Sequence, residues 1–418
     1  MTVWRTALPL AWVFVVCACA PAAAQVLPSE PIAFADGRVT VSGDVSVTAA
    51  TAIDKPTYFN ATDYEHSMLR LTRIDVSSAA HAGPHFTLLA EVRTEDFEWL
   101  RPYALYVRVK PWINHNFDIQ VGRIPPTFGG FSRRTYANDN PLIGYPLGYQ
   151  YLTTVRADAI PASVDDLLEQ RTKGWGLLYD HQFGHQNFGP GVPVVSGIRW
   201  DTGVQVHGGN DVITGTIAFT RGTISNPLFN DDNEGNQVAG RVELRPVAGL
   251  LIGASGARGP FVSDVAVRGS IGEENGRDYT QTGWGADLEY SRNYYVVRAE
   301  TVVSTWRLPL VSEPSGVLPL RAIASYVEGR YKFAPGFYVA ARYDDLRFND
   351  VTGAELGTMP WDADVTRFEG GVGVSILRNF VLKVTGQRNH RANVGLPGPR
   401  RELPSRFNVG AAQLVFWF

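Results

Sequence analysis

Three places in the chain carry side chains that could do chemistry. In Asp180-His181-Gln182-Phe183-Gly184-His185 two histidines stand four apart beside a carboxylate. That spacing suits metal ligation only on a helix, and the glycine-rich run around them reads as a loop. Asp231, Asp232 and Glu234 crowd oxygen ligands of the type a hard cation takes, but without the ordered spacing of a calcium loop, so 230–236 reads as a hydrated external loop. Ser255 lies in Ala-Ser-Gly-Ala-Arg, which lacks the GxSxG setting of a nucleophile elbow and suits a tightly packed strand. No Gly-rich turn leads into a Lys-Ser or Lys-Thr helix start, so no nucleotide loop is read. The expectation is a chain that is not an enzyme and uses no metal or cofactor.

The elements that would position these residues begin with an export signal. Arg5 precedes an apolar run and then Pro21-Ala22-Ala23-Ala24, a small-residue site best cut after Ala24. Both cysteines, Cys17 and Cys19, fall inside residues 1–24, so the remaining 394 residues hold no disulfide and no thiolate ligand. They carry 37 basic side chains against 41 acidic, a balance that gives no general attraction to nucleic acid. After the leader no stretch approaches 18 consecutive apolar residues, which excludes helical membrane spans and leaves open strands that need only about 9–11 residues to cross.

Period two recurs along most of the chain. In Thr282–Tyr290 one face carries Thr282, Trp284, Ala286, Leu288 and Tyr290, and the other Asp287 and Glu289. Phe86, Leu88, Ala90 and Val92 oppose Glu91, Arg93 and Glu95. Tyr103, Leu105, Val107 and Val109 oppose Arg108 and Lys110. Tyr295, Val297 and Val303 oppose Arg298 and Glu300, Phe337, Val339 and Tyr343 oppose Arg342 and Asp344, and Phe380, Leu382 and Val384 oppose Lys383 and Gln387. Aromatic residues at strand ends, Trp112, Tyr290, Trp306, Phe348, Trp417 and Phe418, suit interfacial girdles. Short links such as Ser291-Arg292-Asn293 and Leu377-Arg378-Asn379 alternate with long ones. A soluble sandwich also alternates, but a closed barrel places the charged face on water and removes every sheet edge, which hydrocarbon demands. The fold class is all-β: a transmembrane antiparallel β-barrel over 38–418, after a periplasmic segment 25–37. Eighteen strand segments can be marked, including 173–181 and 193–201; sixteen strands are favoured because 174–209 is crowded.

The last strand alternates Ala412, Leu414, Phe416 and Phe418 and ends on phenylalanine. This resembles the C-terminal signal by which Gram-negative outer-membrane proteins are recognised for assembly. With the export signal and hairpin repeats, the chain resembles the bacterial outer-membrane porins over nearly its whole length, with no motif that fixes a subclass. The resemblance implies a water-filled lumen, passive diffusion of small polar solutes or ions, contact with outer-membrane lipid and lipopolysaccharide, the barrel assembly machinery as a partner, and a possible homotrimer.

An insert at 125–172 is too long to be structureless without a role. Ser163 before Val164-Asp165-Asp166-Leu167-Leu168 reads as a capped short helix. By the porin resemblance the insert folds inward and narrows the lumen, with Arg133, Arg134 and Arg156 facing Asp139, Asp158 and Asp165, and with Arg108, Arg298, Arg342 and Lys383 on the wall. Tyr136, Tyr145, Tyr149 and Tyr151 either stack on a passing sugar or pack the insert to the wall. The alternatives to a porin are a plugged structural or adhesive barrel and an outer-membrane hydrolase.

Overall fold

The computed structural model describes residues 30–51, 72–97, 99–172, 174, 190–197, 200–273, 275–392 and 405–418. The leader 1–24 and His181 and His185 lie outside them. Along the chain run β1 (Ile32–Phe34), β2 (Val39–Ala50), β3 (Thr72–Ala82), β4 (Phe86–Glu95), β5 (Trp99–Val109) and β6 (Asn116–Ile124). The insert carries α1 (Leu147–Gln150) and α2 (Val164–Glu169). Then come β7 (Asp201–Gly209), β8 (Ile213–Thr220), β9 (Gln237–Val247), β10 (Leu250–Pro260), α3 (Asp264–Ile271), β11 (Thr280–Arg292), β12 (Tyr295–Leu310), β13 (Glu313–Ala334) and β14 (Phe337–Phe348). A small hairpin, β15 (Asp350–Gly353) and β16 (Gly357–Pro360), precedes β17 (Val365–Leu377), β18 (Phe380–Arg391) and β19 (Arg406–Trp417).

Sixteen of these strands, β2–β14 and β17–β19, pair antiparallel in chain order. The ring closes where β19 meets β2, with Leu414 opposite Val47 and Phe416 opposite Val45. Phe418 continues the closure by exchanging backbone hydrogen bonds with Gly43 at 3.1 and 3.0 Å. Closure pairs every strand on both sides, as a lipid-exposed sheet must be. β1 folds back antiparallel on the start of β2.

Alternation decides which side faces outward. Phe86, Leu88, Leu105, Val107, Trp284, Leu288, Val339 and Tyr343 are exposed on the outer wall, whereas Glu91, Arg93, Glu300, Arg342 and Asp344 are buried within. Short turns gather at one end: Asn293 adopts φ 53° between β11 and β12, and Gly249 φ 84° between β9 and β10, where a side chain would strike the backbone of Ser291. The insert, α3 and the β15–β16 hairpin lie on connections at the other, loop end.

Three sequence expectations are corrected. Residues 193–197 and Trp200 are not strand, so the connection from β6 to β7 runs from 125 to 200; the strand expected at 173–181 falls outside the described residues apart from Gly174. Trp306 and Phe348 are not girdle residues. They share the parity of Glu300 and Asp344, face inward, and meet edge-on against Trp361 at 5.8 and 4.7 Å; Trp417, opposite inward Asp44, also faces the interior, against the cluster of Leu142, Tyr338 and Val381. Tyr103 is also turned inward, because a register irregularity between Glu91 and Val92 offsets the pairing of β4 with β5, and its ring lies 3.7 Å beneath the Arg93 guanidinium.

The closing contact is tight: a Cβ at Gly43 would sit 2.7 Å from the Phe418 ring and 3.3 Å from the Asp75 carbonyl oxygen. Gly43→Val should therefore lower barrel stability by about 1–3 kcal/mol. The check is the fraction of heat-modifiable protein after refolding in detergent, and a yield equal to the parent would contradict this packing.

Candidate functional site: the lumen and its insert

After Ile124 the chain leaves the wall and crosses the bore, bonding to one strand after another. Thr127 donates to Gln205 on β7 at 2.9 Å, and the Gly129 amide to Ser255 on β10 at 3.1 Å. Glu300 on β12 accepts from the amides of Gly130 and Phe131 at 2.8 and 3.2 Å and from the Tyr149 hydroxyl at 2.8 Å. Arg134 bridges to Glu289 on β11 at 2.6 Å. The Thr135 carbonyl accepts from Arg73 on β3 at 3.2 Å, and Tyr136 donates to Glu91 on β4 at 2.6 Å.

The same path continues on the opposite wall. Asp44 on β2 accepts from the amides of Ala137 and Asn138 at 3.3 and 3.1 Å, while Lys383 on β18 donates to the carbonyls of Ala137 and Asn140. Tyr338 on β14 donates to the Pro141 carbonyl at 3.0 Å. Glu369 on β17 accepts from Gly144 at 3.1 Å and Asp344 on β14 from Leu147 at 3.0 Å. The insert runs close to the wall at Gly144, where a Cβ would fall 2.6 Å from the Gln387 amide and 2.8 Å from the Glu369 carboxylate and would displace those side chains. Ala137, Leu142, Ile143 and Tyr145 are wholly buried at the centre of this crossing.

Beyond it the insert packs into an apolar patch on the inner wall near the loop end. Tyr151, Val155, Ile160, Leu167 and Leu168 join Trp306, Leu308, Leu320, Leu346, Phe348 and Trp361 in one buried cluster. α2 begins as its sequence suggests, with the Ser163 hydroxyl accepting from the Asp166 amide at 3.2 Å. Buried Asp362 accepts from the Tyr151 hydroxyl and from the amides of Thr154 and Thr172 at 2.9, 3.0 and 2.9 Å. Burial raises the Asp362 carboxyl above its ordinary range, against the amides of Thr172 and Ala363. Burial and then Glu300 push the Tyr149 hydroxyl well above the tyrosine range, and burial and Asp362 do the same for Tyr151. Both remain protonated donors.

The expected site residues thus separate. Tyr145, Tyr149 and Tyr151 are buried packing groups and cannot stack on a solute; Tyr136 alone of the four is partly exposed. Arg156 is buried in a bidentate pair with Asp158 at 2.8 and 2.9 Å, so these two do not face each other across an opening. Asp165 accepts from the amides of Ala354, Glu355 and Leu356 and fastens the β15–β16 hairpin instead. Arg342, enclosed by Glu328, Asp344 and Glu369, and Lys383 lie beneath the insert away from lumen water.

Solvent reaches Arg133, Asn138 and Asp139 on the insert, and more partially Arg134, Arg108 and Arg298. The charges of Glu243, Arg241 and Asp118 act on Arg133, and those of Arg298, Arg134 and Lys383 on Asp139. Arg298 pairs with Glu289 at 2.9 Å and Glu328 at 3.5 Å, and Arg241 with Asp287 at 2.6 Å. Bases and acids alternate around the wall and neutralise one another locally, instead of the arginines facing the acids across the lumen. Sequence reading missed Glu300, Asp44 and Glu369, whose signal was a carboxylate of inward parity on a strand, and Asp362, which lies in the connection between β16 and β17 and carries no such signal. In the 230–236 loop, Glu234 meets Arg277 at 3.5 Å and Asp231 accepts from the Asn233 amide at 3.1 Å.

No family model matches this chain, and no curated protein does. Solved structures do. The outer-membrane OmpT of Vibrio cholerae aligns over 93% of this chain and 100% of its own at 12% identity and a TM-score of 0.51. The anion-selective porin of Comamonas acidovorans aligns over 91% and 99% at 8% identity, TM-score 0.53. OmpF of Salmonella typhi, solved with daunomycin, aligns over 93% and 100% at 12%, TM-score 0.53. The chain has the closed-barrel fold of these outer-membrane porins. The expectation that it is not an enzyme is corrected by the same comparison: OmpT structures stand among the matches at 12–14% identity, and a barrel shared at that distance excludes no class of activity.

In this porin fold Glu300 accepts from three donors of the insert at once. Glu300→Ala leaves three donors without their acceptor, at about 1–3 kcal/mol for each that stays buried. Trypsin should then cut after Arg133 or Arg134 in the detergent-solubilised barrel much faster than in the parent; equal rates would show that Glu300 does not hold the insert.

Proposed function

We propose that the protein is a restrictive diffusion channel, passing ions and small hydrophilic solutes down their gradient through the bore. The observation that carries this reading is that Arg133, Asn138 and Asp139 sit on the crossing insert, inside the ring, and are nonetheless exposed to solvent. Water that reaches the insert from the turn end meets paired charges and hydroxyls. These can replace part of a solute's hydration while binding it weakly enough to let it leave. The half-buried groups Arg108, His207 and Glu243, near Arg133, are the wall a solute would follow. The alternating Leu414, Phe416 and Phe418 support a further role for β19 as the strand engaged by the assembly machinery. Association as a homotrimer belongs to the same proposal.

A second reading, a plugged structural barrel, is favoured by the bonds that tie residues 127–147 to strands on both sides of the bore. Liposome swelling separates the two. A channel lets a small sugar or amino acid enter vesicles containing the purified barrel, whereas swelling no faster than in protein-free vesicles would sink it. In a salt gradient across a planar bilayer, Arg133→Ala with Arg108→Ala should move the reversal potential toward cation preference; an unchanged potential would remove these two residues from the path.

A further inference from the structure

The outer wall carries a charged row that the bore does not use. On β10 to β13 the cross-strand partners Arg258, Thr282, Thr305 and Arg321 stand side by side, and all four have outward parity. Arg307 lies two residues beyond Thr305 on the same face, diagonal to Arg321. Arg258, Arg307 and Arg321 are exposed, and their guanidinium groups make no ion pair among the described residues. On the next strand the pattern stops, because Arg347 is neutralised by Asp345 at 2.8 Å and Asp364 at 3.4 Å.

Directly toward the turn end, the next outward row is apolar: Ile217, Gly240, Gly256, Trp284, Val303 and Ile323 are consecutive cross-strand partners. Trp284 is 65% exposed. Its indole therefore stands at the boundary between the apolar band and the charged row, where interfacial tryptophans sit. Beside it a hollow of about 830 Å³ opens in the outer wall, bordered by Ile217, Val242, Ala254 and Trp284. At Gly240 an added Cβ would come no nearer than 3.8 Å to any atom, so packing within the chain does not require a glycine there.

We propose that this wall binds a phosphorylated lipid of the loop-side leaflet, with the phosphate on Arg258, Arg307 and Arg321 and an acyl chain in the hollow beside Trp284. Neighbouring like charges repel unless an anion lies between them, and no acid among the described residues forms an ion pair with any of these three. Strand spacing puts the Cα atoms of Arg258 and Arg321 roughly 14 Å apart. Both long side chains can therefore lean toward the Thr282 and Thr305 hydroxyls that lie between them. Charge above and hydrocarbon below are the two halves of an anionic lipid in the order in which a leaflet presents them.

The test is native mass spectrometry of the full barrel in detergent with phosphatidylglycerol, with diacylglycerol of the same chains, and with inorganic phosphate as competitor. Phosphatidylglycerol should remain bound where diacylglycerol is lost. Arg258→Gln, Arg307→Gln and Arg321→Gln should each weaken retention roughly fivefold, and Arg378→Gln at the turn end should leave it unchanged. Heat-modifiability confirms that each variant is folded. Equal retention of the two lipids, or retention unaffected by the triple substitution, would overturn the proposal. Displacement by inorganic phosphate alone would reduce the site to an anion site. A barrel dimer that dissociates in the triple variant without change in lipid would assign the face to a second copy instead.

Discussion

An unpaired backbone amide away from water is the constraint on which both layers of this molecule rest. In the wall the constraint is met by closure, since each strand's N–H and C=O groups bond to a neighbour and Phe418 seals the last seam against Gly43. Inside the ring the crossing segment has no sheet to join. Its amides are met by carboxylates that alternation has already turned inward: Asp44, Glu300, Asp344 and Glu369. A charged acceptor makes these bonds stronger than backbone pairs, so the polar inner face that a barrel needs for water also serves as the seat of its insert.

The same arrangement accounts for the distribution of arginine. Several carboxylates gathered on one wall repel one another unless cations lie among them. Arg342 lies among Glu328, Asp344 and Glu369, and Arg73 among Glu95 and the groups of the insert. These cations lock the acids in place more than they attract a passing solute. The groups left to meet a solute are those at the exposed edge of the insert and on the wall near Arg133, where bases and acids alternate closely.

Much of the fold was legible because period two is a local property. Each strand's outward face could be read from its own residues, and the Ser163 cap from four consecutive ones. Where the reading failed, the cause was non-local or a matter of parity. Trp306 and Phe348 were assigned by residue type to girdles, although counting from Val297 and Tyr343 places them inside; they belong to a core that exists only because the insert covers it. Tyr103 followed its strand's alternation until an irregularity in the pairing with β4 reversed it. The tyrosines of the insert were ambiguous because stacking on a solute and packing on a wall call for the same ring. Arg156 and Asp158 looked like opposed charges, yet two residues of separation in an irregular segment lets them pair with each other. The seat carboxylates were visible only as one alternating acid among many, since nothing local tells Glu300 from Glu289.

The central claim is that residues 127–147, held by wall carboxylates, set the width of the bore. Single-channel conductance of the parent beside a variant in which 130–147 is replaced by a short Gly/Ser linker tests it most directly, with heat-modifiability establishing that both barrels are closed. Small steps in the parent and much larger steps in the variant are the result this account predicts. Equal steps from two folded barrels would mean that the crossing segment does not govern passage, and would contradict it.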